Sequence, residues 1–384
     1  MRPPRYGALR SRRGDLAMGA PLSDAQRAEA SRVLREHGGN KTAAAASLGL
    51  SRSAFRERLE SDDTDFLVRA KSELFDGEGN LKLIWIKSAV DKQRLEEIVR
   101  ETIAGLVGGI KPAKRIAAPK KQSGDVCNAI CIGDAHIGLY SWGDETGEDF
   151  DSDIAQKDLE TAVDRVLAAM PPADTCLIAQ LGDFFHIDDQ TNATPAHGNR
   201  LDVDTRFPKV IRCGIATMRY AIDRCLQKHR RVIVRNVAGN HDPHASVTLQ
   251  EALRGYYADE PRVEIVDTPR PFYTFRFGNC LVGLTHGHQG KPERYPGILA
   301  VDASESWGEC EYKYVWHGHF HQKKMFEDMG IIVESFRTLA GPDAWAIQQG
   351  YRPGRELQGI VLHKDFGEIE RHTAGIRRVR DGKK

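Results

Sequence analysis

The sequence predicts an α/β protein preceded by a small all-α domain, and three observations carry that reading. Between residues 125 and 320, five short apolar runs each end abruptly in His, Asp or Asn, with helical stretches such as 154–169 and 208–227 between several of them. Ahead of them, residues 22–59 read as short helices punctuated by Gly rather than as strands. With 384 residues, the chain is also longer than one ordinary domain, so two or three folded units are expected.

Taken in order, residues 1–21 are expected to be a disordered basic arm, unless Met18 is the start. Residues 22–60 form the first domain. A helix from about Asp24 to Glu36 stops at Gly38-Gly39, Asn40 caps a short Ala-rich helix, Gly49 allows a tight turn, and Ser51 caps a third helix. On that third helix Leu50, Ala54, Phe55 and Leu59 share one face, leaving Arg52, Ser53, Arg56 and Arg58 on the other. This is the pattern of a helix-turn-helix, with Asn40, Lys41 and the four polar residues of the third helix as candidate DNA contacts. The text "GGNKTAAAASLGLSRSAF" resembles the Fis-type helix-turn-helix of bacterial regulators. A helical packing module with a solvated Arg face has the same pattern.

Residues 61–110 read as a connector. "LFDGEGNLKLIWIK" has a Gly-rich turn between apolar runs, as in a hairpin, and 91–106 place Leu95, Ile98, Val99, Ile103 and Leu106 on one helical face. That face could pack on the hairpin or mediate a homodimer through the N-terminal region. Residues 111–123, rich in Lys, Pro and Gly, read as a flexible basic linker, 124–370 as the main domain, and 371–384 as a basic tail.

Charge is distributed unevenly behind a formal total of +1. Residues 1–60 carry 12 Lys and Arg against 6 Asp and Glu, and 371–384 carry 6 against 1, while 123–370 hold a net −12. Basic appendages on an acidic body suit a polyanionic partner, here DNA. The seven cysteines form no C-x-x-C pair and read as reduced core residues of a cytoplasmic protein. No segment approaches the ~18 apolar residues of a membrane span.

The chemistry lies at the ends of the apolar runs. "VCNAICI" precedes "GDAHIG", "TCLIAQL" precedes "GDFFH", "RVIVRNVA" precedes "GNHDPH", "CLVGL" precedes "THGH" and "YKYVW" precedes "HGHFH". Nine of the 14 histidines fall in these five motifs. One such histidine is ordinarily a hydrogen-bonded core or surface residue; five strand-terminal clusters that also carry Asp and Asn indicate a metal site. Oxygen and imidazole ligands without thiolate favour Mn, Fe or Zn over a structural Cys-type zinc.

The order D-x-H, G-D, G-N-H-D, H-G, G-H-x-H resembles that of the calcineurin-like metallophosphoesterases over about residues 125–325. The resemblance implies a four-layer sandwich of two β-sheets flanked by helices. It further implies two divalent metal ions, manganese first, with Asp134, His136 and His321 on one, Asn240, His286 and His319 on the other, and Asp183 between them. His288 and His317 are expected outside the ligand set. His241 is the expected catalytic acid, with Asp242 orienting it. Two such ions polarise a phosphoryl oxygen and activate water for in-line attack.

The implied activity is phosphoester hydrolysis with the substrate open. A phosphodiesterase or nuclease recruited to DNA, as in phage or prophage relatives, stands beside a phosphomonoesterase for phosphoproteins or nucleotides. A DNA-binding regulator with a structural phosphoesterase fold is the third possibility. His197, Asn199, Arg200 and Arg206, in the long polar stretch after the second motif, are candidate substrate contacts, although a solvated loop has the same composition. Trp345 and Tyr351 either stack on a base or fill the core.

Overall fold

The computed structural model describes residues 29–30, 32–34, 36–37, 41–51, 55, 66–75, 81–90, 113–120, 122–266, 268 and 270–381, the two segments between 66 and 90 by backbone alone. The chain divides into two compact units, residues 1–100 and 101–384.

In the first unit, helix α1 (Lys41–Ser47) ends where Gly49 takes φ +66°, a left-handed conformation that costs glycine little. Leu50 N–H then donates to Ala45 O at 2.9 Å, closing the turn. Ala30, Val33, Ala44, Ala45 and Phe55 form a small buried core, with Leu34, Leu48 and Leu50 packed against it. Small alanines allow this close crossing of short helices, as the sequence pattern requires. Asn40, Arg52, Ser53, Arg56 and Arg58 lie outside the described residues, as does the amphipathic stretch 91–106. The expected hairpin is present: β1 (Phe66–Phe75) and β2 (Leu81–Val90) pair antiparallel.

The second unit is built on two sheets. The first comprises β3 (Val126–Ile132), β4 (Thr175–Gln180), β5 (Arg231–Asn236), β6 (Val263–Ile265), β12 (Glu356–His363) and β13 (Gly367–Gly375), in the order β13-β12-β3-β4-β5-β6. Strands β3 to β6 run parallel, and β12 is antiparallel to β3. The second comprises β7 (Tyr273–Phe277), β8 (Cys280–Leu284), β9 (Tyr312–His317), β10 (Lys324–Asp328) and β11 (Ile331–Ser335), in the order β10-β11-β9-β8-β7, with β8, β9 and β11 parallel.

Side-chain alternation along the strands explains the layers. Cys127, Ala129 and Cys131 of β3 meet Val282, Tyr314 and Trp316 in a core between the sheets. Ile130 and Ile132, pointing the other way, join the outer core formed with helices α2 (Ser152–Ala169), α3 (Phe207–Lys228) and α4 (Ala245–Tyr256). The far face of the second sheet packs Leu281, Val315, Ile331 and Val333 against Tyr295 and Leu299 of α5 (Tyr295–Asp302). The result is helices, sheet, sheet and helix in four layers.

Two expected boundaries differ from the structure. The stretch 113–120 has no regular secondary structure but is laid on the body: Ala113 N–H donates to Tyr256 O at 2.9 Å, and Arg262 Nη2 donates to Ile116 O at 2.6 Å. Residues expected as a basic tail from 371 continue β13 and then form α6 (Ile376–Arg380). Arg371 donates to buried Glu334, and Arg380 Nη2 donates to Asp158 Oδ2 at 2.6 Å, so these two arginines are paired within the body. All seven cysteines are free and six are buried. Among the described residues, no helix is long and apolar enough to cross a membrane.

Candidate metal centre

The five motifs follow β3, β4, β5, β8 and β9, so they leave two parallel strand sets at their carboxyl ends, where chain direction reverses and ligands collect. The backbone there is strained. Seven non-glycine residues among those described have positive φ, and five of them are Asp134 (47°), His136 (45°), Asp183 (48°), His319 (71°) and His321 (53°). Each such conformation costs about 1–3 kcal/mol and persists where surrounding structure imposes it, commonly at functional sites. Glycine makes the close approaches possible: a Cβ on Gly239 would lie 2.0 Å from Asp183 Oδ1, and one on Gly318 2.4 Å from Asp134 Oδ2.

Two groups of side chains converge. In Asp134, His136 and His321 the ligand-type atoms lie within 4.8 Å of one another, and in Asp183, His286 and His319 they do the same. His136 Nε2 and His321 Nε2 are 3.1 Å apart, and His321 Nε2 is 3.3 Å from Asp134 Oδ1. His286 donates its Nδ1–H to Leu181 O at 2.8 Å, which fixes the tautomer and aims Nε2 at Asp183 Oδ2 and Asn240 Oδ1, both at 3.1 Å. Asp183 Oδ1 also accepts the His241 N–H at 2.8 Å. Asp134, His136, Asp183 and His286 are buried, Asp134 and His286 fully, while Asn240, His241, His319 and His321 are half-buried.

Electrostatics follow from this packing. Burial opposes charge on His286, but the attraction and hydrogen bond of Asp183 outweigh it and raise its pKa to about 10. Burial works against the Asp183 carboxylate, and His286 and His241 hold it well below the ordinary range. Burial pushes His319 down to about 4, assisted by His286. An imidazole kept neutral has the free lone pair a cation needs. The oxygen and imidazole donor set, the converging nitrogens and the glycine clearances fit divalent metal ions in both groups.

One expectation about the surroundings changes. Asp242 does not orient His241: it is fully buried and accepts N–H groups from Phe185 at 3.0 Å and Gly239 at 2.8 Å, bracing two motif loops. Burial and the charge of Asp183 raise its pKa to about 7. His241 is oriented instead by the His186 carbonyl, which accepts its Nδ1–H at 3.0 Å. His288 stands beside the second group, its ring 5.1 Å from that of His286, whereas His317 packs against Tyr295 and Phe320.

His197, Asn199, Arg200 and Arg206 are exposed, and none belongs to the converging groups. The first three sit on a tight loop in which Thr194 N–H donates to Asn199 O at 2.8 Å. Trp345 and Tyr351 do not fill the core; they are 63% and 45% exposed.

His186, for which the sequence suggests no role, forms a third converging group with His136 and His241. Its ring stacks on that of His241 at 5.4 Å, its Nδ1 lies 3.2 Å from His136 Nδ1, and its Nε2 is buried. Its place three residues after Asp183 was the available signal.

Residues 22–61 match the family model of bacterial regulatory proteins of the Fis family. No curated protein matches the sequence. Among solved structures, a phosphoesterase from E. coli, Yfce, is 14% identical over 64% of this chain and 98% of its own, with a TM-score of 0.29. A conserved protein from Streptococcus pneumoniae, described as a predicted phosphoesterase, is 12% identical over 65% of this chain and 98% of its own, TM-score 0.25. Vps29 complexed with zinc from Entamoeba histolytica is 14% identical over 65% of this chain and 99% of its own, TM-score 0.27. Likenesses at these scores carry no weight for activity; the fold rests on the strand order above.

Proposed function

We propose that the protein is a dinuclear-metal-dependent phosphodiesterase acting on DNA, to which its N-terminal helix-turn-helix recruits it. The observation that supports this best is the convergence of two adjacent oxygen and imidazole groups on strained strand ends. The match of residues 22–61 to the Fis family supports the recruiting role, and the excess of basic residues in 1–60 supports a polyanionic partner.

In this reading Asp134, His136 and His321 hold one ion, Asn240, His286 and His319 hold the other, and Asp183 lies between them. Manganese is proposed, and iron or zinc suits the same donors. When bound, two divalent ions polarise the phosphoryl oxygen and activate water. The protein groups do the rest. Leu181 O keeps His286 in one tautomer, and Asp242 braces the loops of the second and third motifs. His241, its Nδ1–H spent on His186 O, presents Nε2 and, when protonated, donates there to the leaving oxygen.

The test is turnover by the Mn-loaded chain of bis-(p-nitrophenyl) phosphate and p-nitrophenyl phosphate, followed by labelled single- and double-stranded DNA, with Asp183→Ala as control. Diester and DNA cleavage that disappears in the variant is the expected result. Monoester turnover alone would make it a phosphomonoesterase, and DNA binding without turnover a regulator.

A further inference from the structure

The loop that carries His241 runs on through Asp242 and Pro243 to His244, the residue that opens α4. Asp188, two residues beyond His186, reaches across to it. Asp188 Oδ1 accepts the backbone N–H groups of His244 at 2.7 Å and Ala245 at 2.8 Å, and Oδ2 accepts the His244 Nδ1–H. Two imidazoles thus help to join the two loops, His241 on the His186 carbonyl and His244 on the Asp188 carboxylate.

The burial of the pair is asymmetric. Asp188 is 6% exposed as a residue, while the His244 side chain is 57% exposed. A carboxylate capping a helix needs only one oxygen for the backbone N–H groups; here the second oxygen is committed to the imidazole. That fixes the ring and places a proton on Nδ1, leaving Nε2 outside this bond on a largely exposed ring. The hydrogen bond with Asp188 also raises the His244 pKa, against the effect of burial. The neighbouring acid does not bond to the ring: Asp189 Oδ1 accepts from the Thr191 N–H at 2.7 Å and from its hydroxyl at 2.6 Å.

We propose that His244, held by Asp188, is a specificity-determining contact for a second phosphate, the one next to the scissile phosphate in a nucleotide chain. This rests on the phosphodiesterase reading and names its substrate class as a polynucleotide. In that reading the two metal groups would engage only the scissile phosphate. The unit around them is acidic, with a net −12 over residues 123–370, so an approaching polyanion needs a local cation. His244, held by a buried carboxylate at the end of the same two loops, supplies one when protonated. Its Nε2–H suits a phosphate oxygen in a charge-assisted hydrogen bond.

The experiment compares the Mn-loaded full chain with His244→Gln, His244→Lys and Asp188→Asn. The substrates are bis-(p-nitrophenyl) phosphate, with one phosphate, and tetrathymidylate, with several. For His244→Gln, the KM for tetrathymidylate should rise about tenfold relative to the KM for the small diester, the loss of one charge-assisted hydrogen bond, with kcat little changed. His244→Lys should restore part of it, and Asp188→Asn should act in the same direction as Gln. Equal KM changes for both substrates, or none, would overturn the proposal. If the wild type turns over neither substrate, the phosphodiesterase reading fails. The subsite is then judged by calorimetric binding of tetrathymidylate: weaker binding by His244→Gln supports it, and equal affinity overturns it.

Discussion

Lowering the pH should destabilise the second unit through one histidine outside the candidate metal centre. His229 follows α3 and is fully buried. Its Nδ1–H donates to Cys225 O at 2.9 Å, and its Nε2 accepts from Asn128 Nδ2 at 2.9 Å; the same Asn128 amide donates to Pro171 O at 3.0 Å. A proton on Nε2 would face the Asn128 NH₂, and turning that amide would set its oxygen against Pro171 O. Burial, assisted by Lys228, accordingly pushes the pKa down to about 4, although the Cys225 carbonyl favours the charged form. The unfolded value is about 6.5. Above that value the ring is neutral in both states; between 6.5 and about 4 only the unfolded chain takes up the proton, so stability is lost as pH falls. From about pH 7 to about pH 5 the loss is about 2 kcal/mol from this residue alone. Urea unfolding read by tryptophan fluorescence, with Trp316 buried between the sheets, measures it. Over that interval the wild type should lose about 2 kcal/mol more than His229→Gln, which cannot titrate. Equal losses in the two proteins would refute the reasoning.

Three other outcomes are expected. Gly239→Ala should abolish turnover and lower the melting temperature, because its Cβ would lie 2.2 Å from Asp183 N; near-normal activity would mean that the loop is free to shift. Arg371→Met should cost about 3–5 kcal/mol by leaving Glu334, 1% exposed, without its guanidinium, and Glu334→Met in the same chain should recover much of it. Dialysis against a chelator should lower the melting temperature of Mn-loaded protein, since an ion bound only by the folded state stabilises it. An unchanged melting curve would argue against the metal assignment.

Much of the fold was legible because its signals are local. The alternation of Cys127, Ala129 and Cys131 with Ile130 and Ile132 is a property of neighbouring residues, and a strand must send alternate side chains to opposite faces. The hairpin at 66–90, the glycine turn at Gly49 and the polar residues at five strand ends were readable for the same reason. The likeness to a known motif order supplied the grouping of those residues, which spacing alone could not.

What only the tertiary structure decided depends on partners distant in sequence. The run of Arg residues after 370 reads as a tail because nothing nearby neutralises it, yet Arg380 meets Asp158 from 222 positions away. Asp242 looks like a partner for its neighbour His241, but its oxygens are claimed by N–H groups that chain reversal brings to it. His244 and Asp188 are 56 positions apart and meet only because β4 and β5 lie side by side. Residue type and local period therefore determined which chemistry the chain carries and on which elements. Sheet order and loop packing decided which nitrogen faces which oxygen, because burial and hydrogen bonding depend on groups that only folding brings together.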